Sequence, residues 1–266
     1  MGSKIFQRGH HGGYAPEIEE LYHGNKAYIA NMSETNPGLL QSLASDGQKP
    51  PFMVVDCSDS RVNEQGIFSA EPGTMFTAGN IANQFDEDDL NSNAVLSYAV
   101  ETLKVKHVIV MGHYGCGGIA ASMVPPPEHE GPTHRSASLA VQNWISPIRQ
   151  IYQTSTRSEI VAHRTKCTNA SHDQNMPDLH DPAFRALVEE NVKANVFRIA
   201  RSAVMQEHYT SIAQRTTTTA KSEPVTGVYI HGWVYDVESG EVSDLGVSVG
   251  PPGKVVPPTP FPTIKP

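Results

Sequence analysis

His107-Val108-Ile109-Val110-Met111-Gly112-His113-Tyr114-Gly115-Cys116-Gly117-Gly118 is the stretch on which the reading of this chain turns. Its first half is an unbroken apolar run, the signature of a buried strand. Its second half is a glycine-rich turn carrying a histidine and a cysteine, and the Gly117-Gly118 pair opens a short helix toward Met123. Phe52-Met53-Val54-Val55-Asp56-Cys57-Ser58-Asp59-Ser60-Arg61 repeats the pattern upstream, an apolar strand running into a polar turn. In a parallel sheet functional groups gather at the carboxyl ends of strands, so Cys57, His113 and Cys116 are expected at one end of the same sheet.

Two thiolates and one imidazole form a soft-to-borderline donor set that suits Zn²⁺. Three protein ligands leave a tetrahedral ion one open position, which distinguishes a catalytic from a structural zinc. A pair of core thiols beside an unrelated histidine is the alternative. Asp59 and Arg61, two residues apart just past a strand end, can enter one cleft, where a guanidinium holds a carboxylate through two hydrogen bonds and keeps it ionised. They could equally be a surface ion pair worth about 0–1 kcal/mol. An ionised Asp59 could accept a hydrogen bond from a zinc-bound hydroxide; released by Arg61, it could instead take the fourth zinc position. Two thiolates donate more charge than imidazoles, so the bound water should be less acidic than at a three-histidine zinc, and activity should favour alkaline pH.

Around these strands the periodicities alternate, which predicts an α/β class: a mostly parallel central sheet with an antiparallel edge strand, flanked by helices. Residues 1–47 read as a helical N-terminal arm, divided near Asn36-Pro37. Residues 48–250 read as a zinc-binding α/β catalytic domain, and 251–266 as a proline-rich tail. Within the middle segment, a short extended piece is expected over 74–78. An amphipathic helix follows over 91–106, with Asn91 and Ser92 as candidate caps. A helix over 135–153 is broken near Pro147, and one long helix spans 182–208. Residues 214–224 read as a connector, and a strand pair over 225–236 and 241–249 turns at Glu238-Ser239-Gly240. The polar stretch 154–182 lacks periodicity and reads as a surface excursion, with Cys167 a loop cysteine without a role.

Composition sets the broad limits. The chain has 266 residues, 38% hydrophobic and 18% charged, with a net charge of −8. This allows a sizeable core and argues against nucleic acid or an anionic membrane as a partner. No run approaches the roughly 20 apolar residues of a spanning helix. Met1 to Arg8 carry no apolar signal segment, and three cysteines do not make a disulfide framework, so a cytoplasmic location is expected.

Taken together, Cys57 to Arg61, Gly112 to Gly118, and Gly227 to Asp236 resemble the β-class carbonic anhydrases, over roughly residues 48–246. The resemblance implies that Cys57, His113 and Cys116 bind zinc and that Asp59 and Arg61 form the catalytic dyad. It implies that Gln48 hydrogen-bonds substrate, that Phe76, Ile81 and Tyr98 form an apolar substrate wall partly supplied across a dimer interface, and that Gly117 turns its N–H toward the ligand. It implies reversible hydration of carbon dioxide to bicarbonate and a proton. It also implies a homodimer or homotetramer whose protomers exchange N-terminal helices. Hydrolysis of carbonyl sulfide or carbon disulfide on the same zinc is the alternative chemistry, and a zinc-stabilised scaffold or bicarbonate sensor the non-enzymatic one. Gly112-x-x-Gly115-x-Gly117-Gly118 is not the dinucleotide fingerprint. One departure stands out. The family's Arg-Asn-x-Ala-Asn run is here Gly79-Asn80-Ile81-Ala82-Asn83, and Val54 stands where some members have tryptophan. The regulatory bicarbonate site built on that arginine and tryptophan is therefore expected to be missing.

Overall fold

A computed structural model describes residues 13–126, 135–169, 175–216 and 227–264. The chain divides into two compact units, Met1–Gln48 and Lys49–Pro266. In the first, α1 (Pro16–Thr35) starts on a proline, which is pre-set for the first helical position, with Glu17 and Glu19 in the turn where the helix dipole favours acids. The chain breaks at Asn36 to Gly38, where Gly38 takes φ +88°, and resumes as α2 (Leu39–Asp46). Ile18, Leu21, Tyr22, Tyr28 and Ile29 of α1 are exposed.

The second unit is built on a five-stranded sheet: β1 (Phe52–Cys57), β2 (Met75–Asn80), β3 (His107–His113), β4 (Tyr229–Tyr235) and β5 (Val242–Val249), in the order β2-β1-β3-β4-β5. The first four strands run parallel and β5 pairs antiparallel at the edge. The class expected from the alternating periodicities is the one observed. Strands β1 and β3 are neighbours, but the chain leaves β1 for β2 on one side and β3 for β4 on the other. Connections that part in opposite directions open a crevice beyond the strand ends, and Cys57 and His113 are the last residues of these two strands.

Side chains alternate between the two faces of the sheet. Met53, Val55, Val108 and Val110 belong to the larger core, shared with α9 (Pro182–Arg201). Val54, Ile109, Met111, Trp233 and Val242 form a smaller cluster on the opposite face. The proline-rich tail closes that face: Phe261 lies 4.8 Å from Trp233, ring centre to ring centre, and Thr263 bridges to Asp244. Helix α9 lies close against β3 and β4 because the sheet offers glycines there. A Cβ on Gly112 would fall 2.5 Å from Val192 Cγ2, and one on Gly232 would fall 3.1 Å from Val196 Cγ2. Asp181 caps α9 by accepting from the N–H groups of Ala183 and Phe184.

Several elements differ from the sequence expectations, each for a local reason. The helix expected over 91–106 begins as α4 (Leu90–Ser97), capped by Asp89, whose carboxylate accepts the Ser92 N–H at 2.7 Å. It widens into a π turn over Tyr98–Thr102. The segment 135–153 is two helices, α6 (Arg135–Trp144) and α7 (Ser146–Thr154), with Pro147 in the first turn of the second. The long helix breaks at Ser202, whose backbone is extended, and α10 (Ala203–Thr216) continues into the expected connector. The polar stretch after Thr154 contains α8 (Ser158–Asn169). Its Ile160 is fully buried in the main core, and one deeply buried residue on an otherwise polar helix leaves little periodic signal. Cys167 therefore lies on a helix, its Sγ 3.6 Å from Nδ1 of His163 one turn earlier. One further turn, α3 (Glu64–Ile67), is capped by Asn63.

Candidate metal centre

Three protein atoms converge beyond the ends of β1 and β3. Cys57 ends β1 and His113 ends β3. Gly115, at φ +76°, then reverses the chain so that Cys116 becomes the residue before α5 (Gly117–Met123). A left-handed residue is required at that turn, which accounts for the glycine. The ligand atoms of Cys57, His113 and Cys116 all lie within 4.8 Å of one another, and all three residues are buried.

Their geometry fits a tetrahedral zinc. Two sulfurs each about 2.3 Å from zinc at the tetrahedral angle stand about 3.8 Å apart; Sγ of Cys57 and Sγ of Cys116 are 3.9 Å apart. Nδ1 of His113 lies 3.0 Å from the Tyr114 carbonyl oxygen. A carbonyl only accepts, so Nδ1 carries the proton and Nε2 presents a lone pair. That Nε2 is buried without a hydrogen-bond partner among the described residues, which is costly unless something else engages it. The protein groups alone also do not accommodate both thiols as anions. The Cys57 thiol is drawn down, foremost by the hydrogen bond from Cys116, against burial. Cys116 is pushed up, by its bond to Cys57 and then by burial. The Ala82 N–H supplies a further donor to Cys57 Sγ at 3.4 Å.

Asp59 and Arg61 stand beside this set, in the turn after β1. The guanidinium donates Nε to Oδ1 at 2.9 Å and a terminal nitrogen to Oδ2 at 2.7 Å, and the Arg61 backbone N–H adds a bond to Oδ1 at 3.0 Å. These hydrogen bonds hold the Asp59 carboxyl well below the usual carboxylate range. Oδ2 is 3.8 Å from His113 Nε2, so one carboxylate oxygen faces both the arginine and the ligand cluster. Arg61 also donates to the Gly115 carbonyl at 3.0 Å, which ties the turn after β1 to the turn after β3.

The other sequence-derived positions are placed less tightly. Phe76 on β2 and Tyr98 at the π turn face each other with ring centres 5.8 Å apart, Tyr98 being about half exposed. Ile81, also partly exposed, lies against Gly118: a Cβ there would meet Ile81 Cγ2 at 2.8 Å. A Cβ on Gly117 would meet nothing within 4 Å, so its backbone faces open space. Gln48 is the last residue of the N-terminal unit. At Gly79 an added Cβ would stand 3.5 Å from Oδ1 of Asp56. Asp56 is buried, and burial, reinforced by neighbouring Glu64, pushes its carboxyl up to about 8.

Two features of the site escaped sequence reasoning. Ala82, at φ +62°, donates its N–H to Cys57 from a backbone conformation that alanine rarely adopts. Tyr114, hidden inside the ligand motif, anchors into α9 through Glu189. The only signal for the latter was a glutamate at a position of α9 that the apolar pattern assigns to the core.

The family described as carbonic anhydrase matches residues 52–242. A carbonic anhydrase of Emericella nidulans is 30% identical over 232 residues, 86% of this chain and 83% of that protein. One of Candida albicans is 27% identical, again covering 86% of this chain and 68% of that protein. Among solved structures, the Coccomyxa β-carbonic anhydrase bound to acetazolamide superposes with a TM-score of 0.66 at 26% identity, covering 88% of this chain and 89% of that one. A tetrameric β-carbonic anhydrase of Sordaria macrospora gives 0.66 at 25% identity, covering 88% of this chain and 100% of that one. With its sheet order, its cluster of Cys57, His113 and Cys116 that could hold a metal ion, and a family match across most of its length, this chain belongs to the β-carbonic anhydrases, lyases that hydrate carbon dioxide.

Proposed function

We propose that Cys57, His113 and Cys116 hold a zinc ion, and that reversible hydration of carbon dioxide to bicarbonate and a proton takes place beside it. The observation that carries this reading is the buried, unpartnered Nε2 of His113, set with two sulfurs 3.9 Å apart at zinc-like spacing. Bound there, the ion supplies Lewis acidity that lowers the pKa of coordinated water from about 15.7 toward 7.

The remaining work falls to the chain's own residues. Asp59, fixed by three hydrogen bonds from Arg61, offers a charged acceptor aimed at the ligand cluster. An acceptor that stays ionised orients a proton-bearing group in one direction and does not compete for its proton. Arg61 holds the carboxylate in place and, through the Gly115 carbonyl, holds the second ligand turn. Phe76, Ile81 and Tyr98 suit a small apolar substrate, and the Gly117 N–H suits an oxygen of bicarbonate. The exposed apolar face of α1 supports a homodimer formed by exchange of N-terminal arms, and the tetrameric Sordaria relative supports a homotetramer as the larger assembly. No helix among the described residues is long and apolar enough to cross a membrane. We place the enzyme in the cytoplasm because its ligand thiols must stay reduced to bind metal.

Elemental analysis and zinc-edge absorption of protein purified with ample zinc, alongside stopped-flow hydration of carbon dioxide, test the proposal. One zinc per chain with two sulfur donors and one imidazole nitrogen, and hydration above the uncatalysed rate, is expected. Folded protein that takes up no zinc would overturn it.

A further inference from the structure

One turn of α9 reaches the outer partners of two of the three ligands. Glu189 is buried at 5% exposure, and its Oε1 accepts the Tyr114 hydroxyl at 2.8 Å while its second oxygen faces the Arg157 guanidinium, just ahead of α8. On the other side of the ring, the guanidinium carbon of Arg185 lies 3.4 Å from the Tyr114 ring centre, and Arg185 pairs with Asp236 at 3.1 Å. Tyr114 is fixed through its backbone as well: its N–H donates to the Tyr235 carbonyl at 3.0 Å, and its own carbonyl accepts from His113 Nδ1 at 3.0 Å. Two residues further along α9, Asn191 donates Nδ2 to the Ala82 carbonyl at 2.9 Å. Ala82 is the residue whose N–H bonds Cys57 Sγ. Asn195, one turn on, accepts the Phe85 N–H at 2.9 Å and secures the far end of the same segment.

A carboxylate sunk into a core is costly unless its partners are firm, and a left-handed alanine persists only where its surroundings hold it. Both costs are met here at one helix, and both lead within one further contact to a ligand atom. We propose that α9 is the frame of the metal centre, with Glu189 acting through Tyr114 on His113, and Asn191 acting through Ala82 on Cys57, as positioning residues that set ligand direction. This rests on the zinc reading above. Hydrogen bonds one shell outside a metal typically change its affinity by about 10- to 100-fold. The arrangement also gives the segment from α7 to α8 a purpose, since Arg157 brings a guanidinium to the second oxygen of Glu189 in the core.

The test uses the full chain, with Tyr114→Phe as the main variant. It removes one oxygen, leaves Glu189 paired with Arg157, and keeps the ring under Arg185. Zinc affinity is read by competition with a coloured chelator, and ligand geometry by the visible spectrum of the cobalt-substituted protein. We expect affinity to fall about tenfold and the cobalt bands to shift, with a modest fall in the unfolding temperature of the metal-free protein because buried Glu189 loses one donor. Asn191→Asp, which keeps size but loses the donor, should weaken zinc by a similar factor with a distinct shift in the sulfur-to-cobalt bands. Wild-type affinity and an unshifted cobalt spectrum in both variants would overturn the frame while leaving zinc binding intact. A wild-type protein that bound no zinc would overturn the metal reading and the frame with it.

Discussion

Gly112→Ala is the sharpest test of how closely α9 is held to the sheet. The added methyl carbon would lie 2.5 Å from Val192 Cγ2 and 3.4 Å from both Val188 Cγ1 and Asn83 Oδ1. Carbon atoms pack comfortably at about 3.5–4.0 Å, so Val192 must give way by about 1 Å. It is fully buried. Overpacking of this kind costs about 1–3 kcal/mol, against about 0.4–1 kcal/mol gained because alanine narrows the unfolded ensemble. The net expectation is a loss of about 1–2 kcal/mol, or a fall of about 2–8 °C in unfolding temperature for a chain of this size. Because His113 follows Gly112 and α9 holds Tyr114, zinc affinity should fall as well. The cause can be isolated with Val192→Ala, which alone should be destabilising through the cavity it leaves. In the double variant the new methyl occupies the space the valine vacates, so its loss should be smaller than the sum of the two single losses by at least about 1 kcal/mol in a denaturant-unfolding cycle. Strict additivity would refute the close-approach argument.

Asp59→Asn should fold with a stability change under about 1 kcal/mol, because its Arg61 partner is half exposed, while hydration turnover falls by about 10²-fold or more; unchanged turnover would remove Asp59 from the chemistry. The pH–rate profile should rise across about pH 6–9, where water on a thiolate-rich zinc is expected to titrate. Asp59 does not contribute to that rise: its folded pKa is depressed, so the stabilisation from its ion pair is fully present above the ordinary carboxylate value and is lost only as pH falls through the lower folded value. A flat profile would count against the ligand-charge argument. Ile160→Ala should cost about 2–5 kcal/mol by thermal or denaturant unfolding, since this side chain of α8 is fully buried; a neutral result would return the segment to the surface excursion its composition suggests.

The convergence of Cys57, His113 and Cys116 was legible in the chain because metal chemistry is strict about donor type, and because an apolar run followed by turn residues marks a strand end without reference to anything distant. The same local logic gave the parallel sheet with its antiparallel edge, the split arm at Asn36-Pro37 and the break near Pro147. Helix α8 and the Ser202 break were not legible. One buried isoleucine makes no period, and an extended serine between two helical patterns carries no breaker signal. The Asp59–Arg61 pair lay between these cases: the two were neighbours in sequence, but the orientation of Asp59 toward His113 depended on the turn after β1.

What the amino-acid order by itself determined was which atoms could bind a metal and on which elements they would sit, because both depend on residue type and on spacing of a few positions. Tertiary structure alone decided that β1 and β3 lie side by side with their connections diverging, that Asp59 faces the imidazole, and that a glutamate 75 residues after Tyr114 braces it. Those facts arise from pairing and packing between distant segments, where the energy of each contact depends on every other being formed, and no window of local sequence contains them.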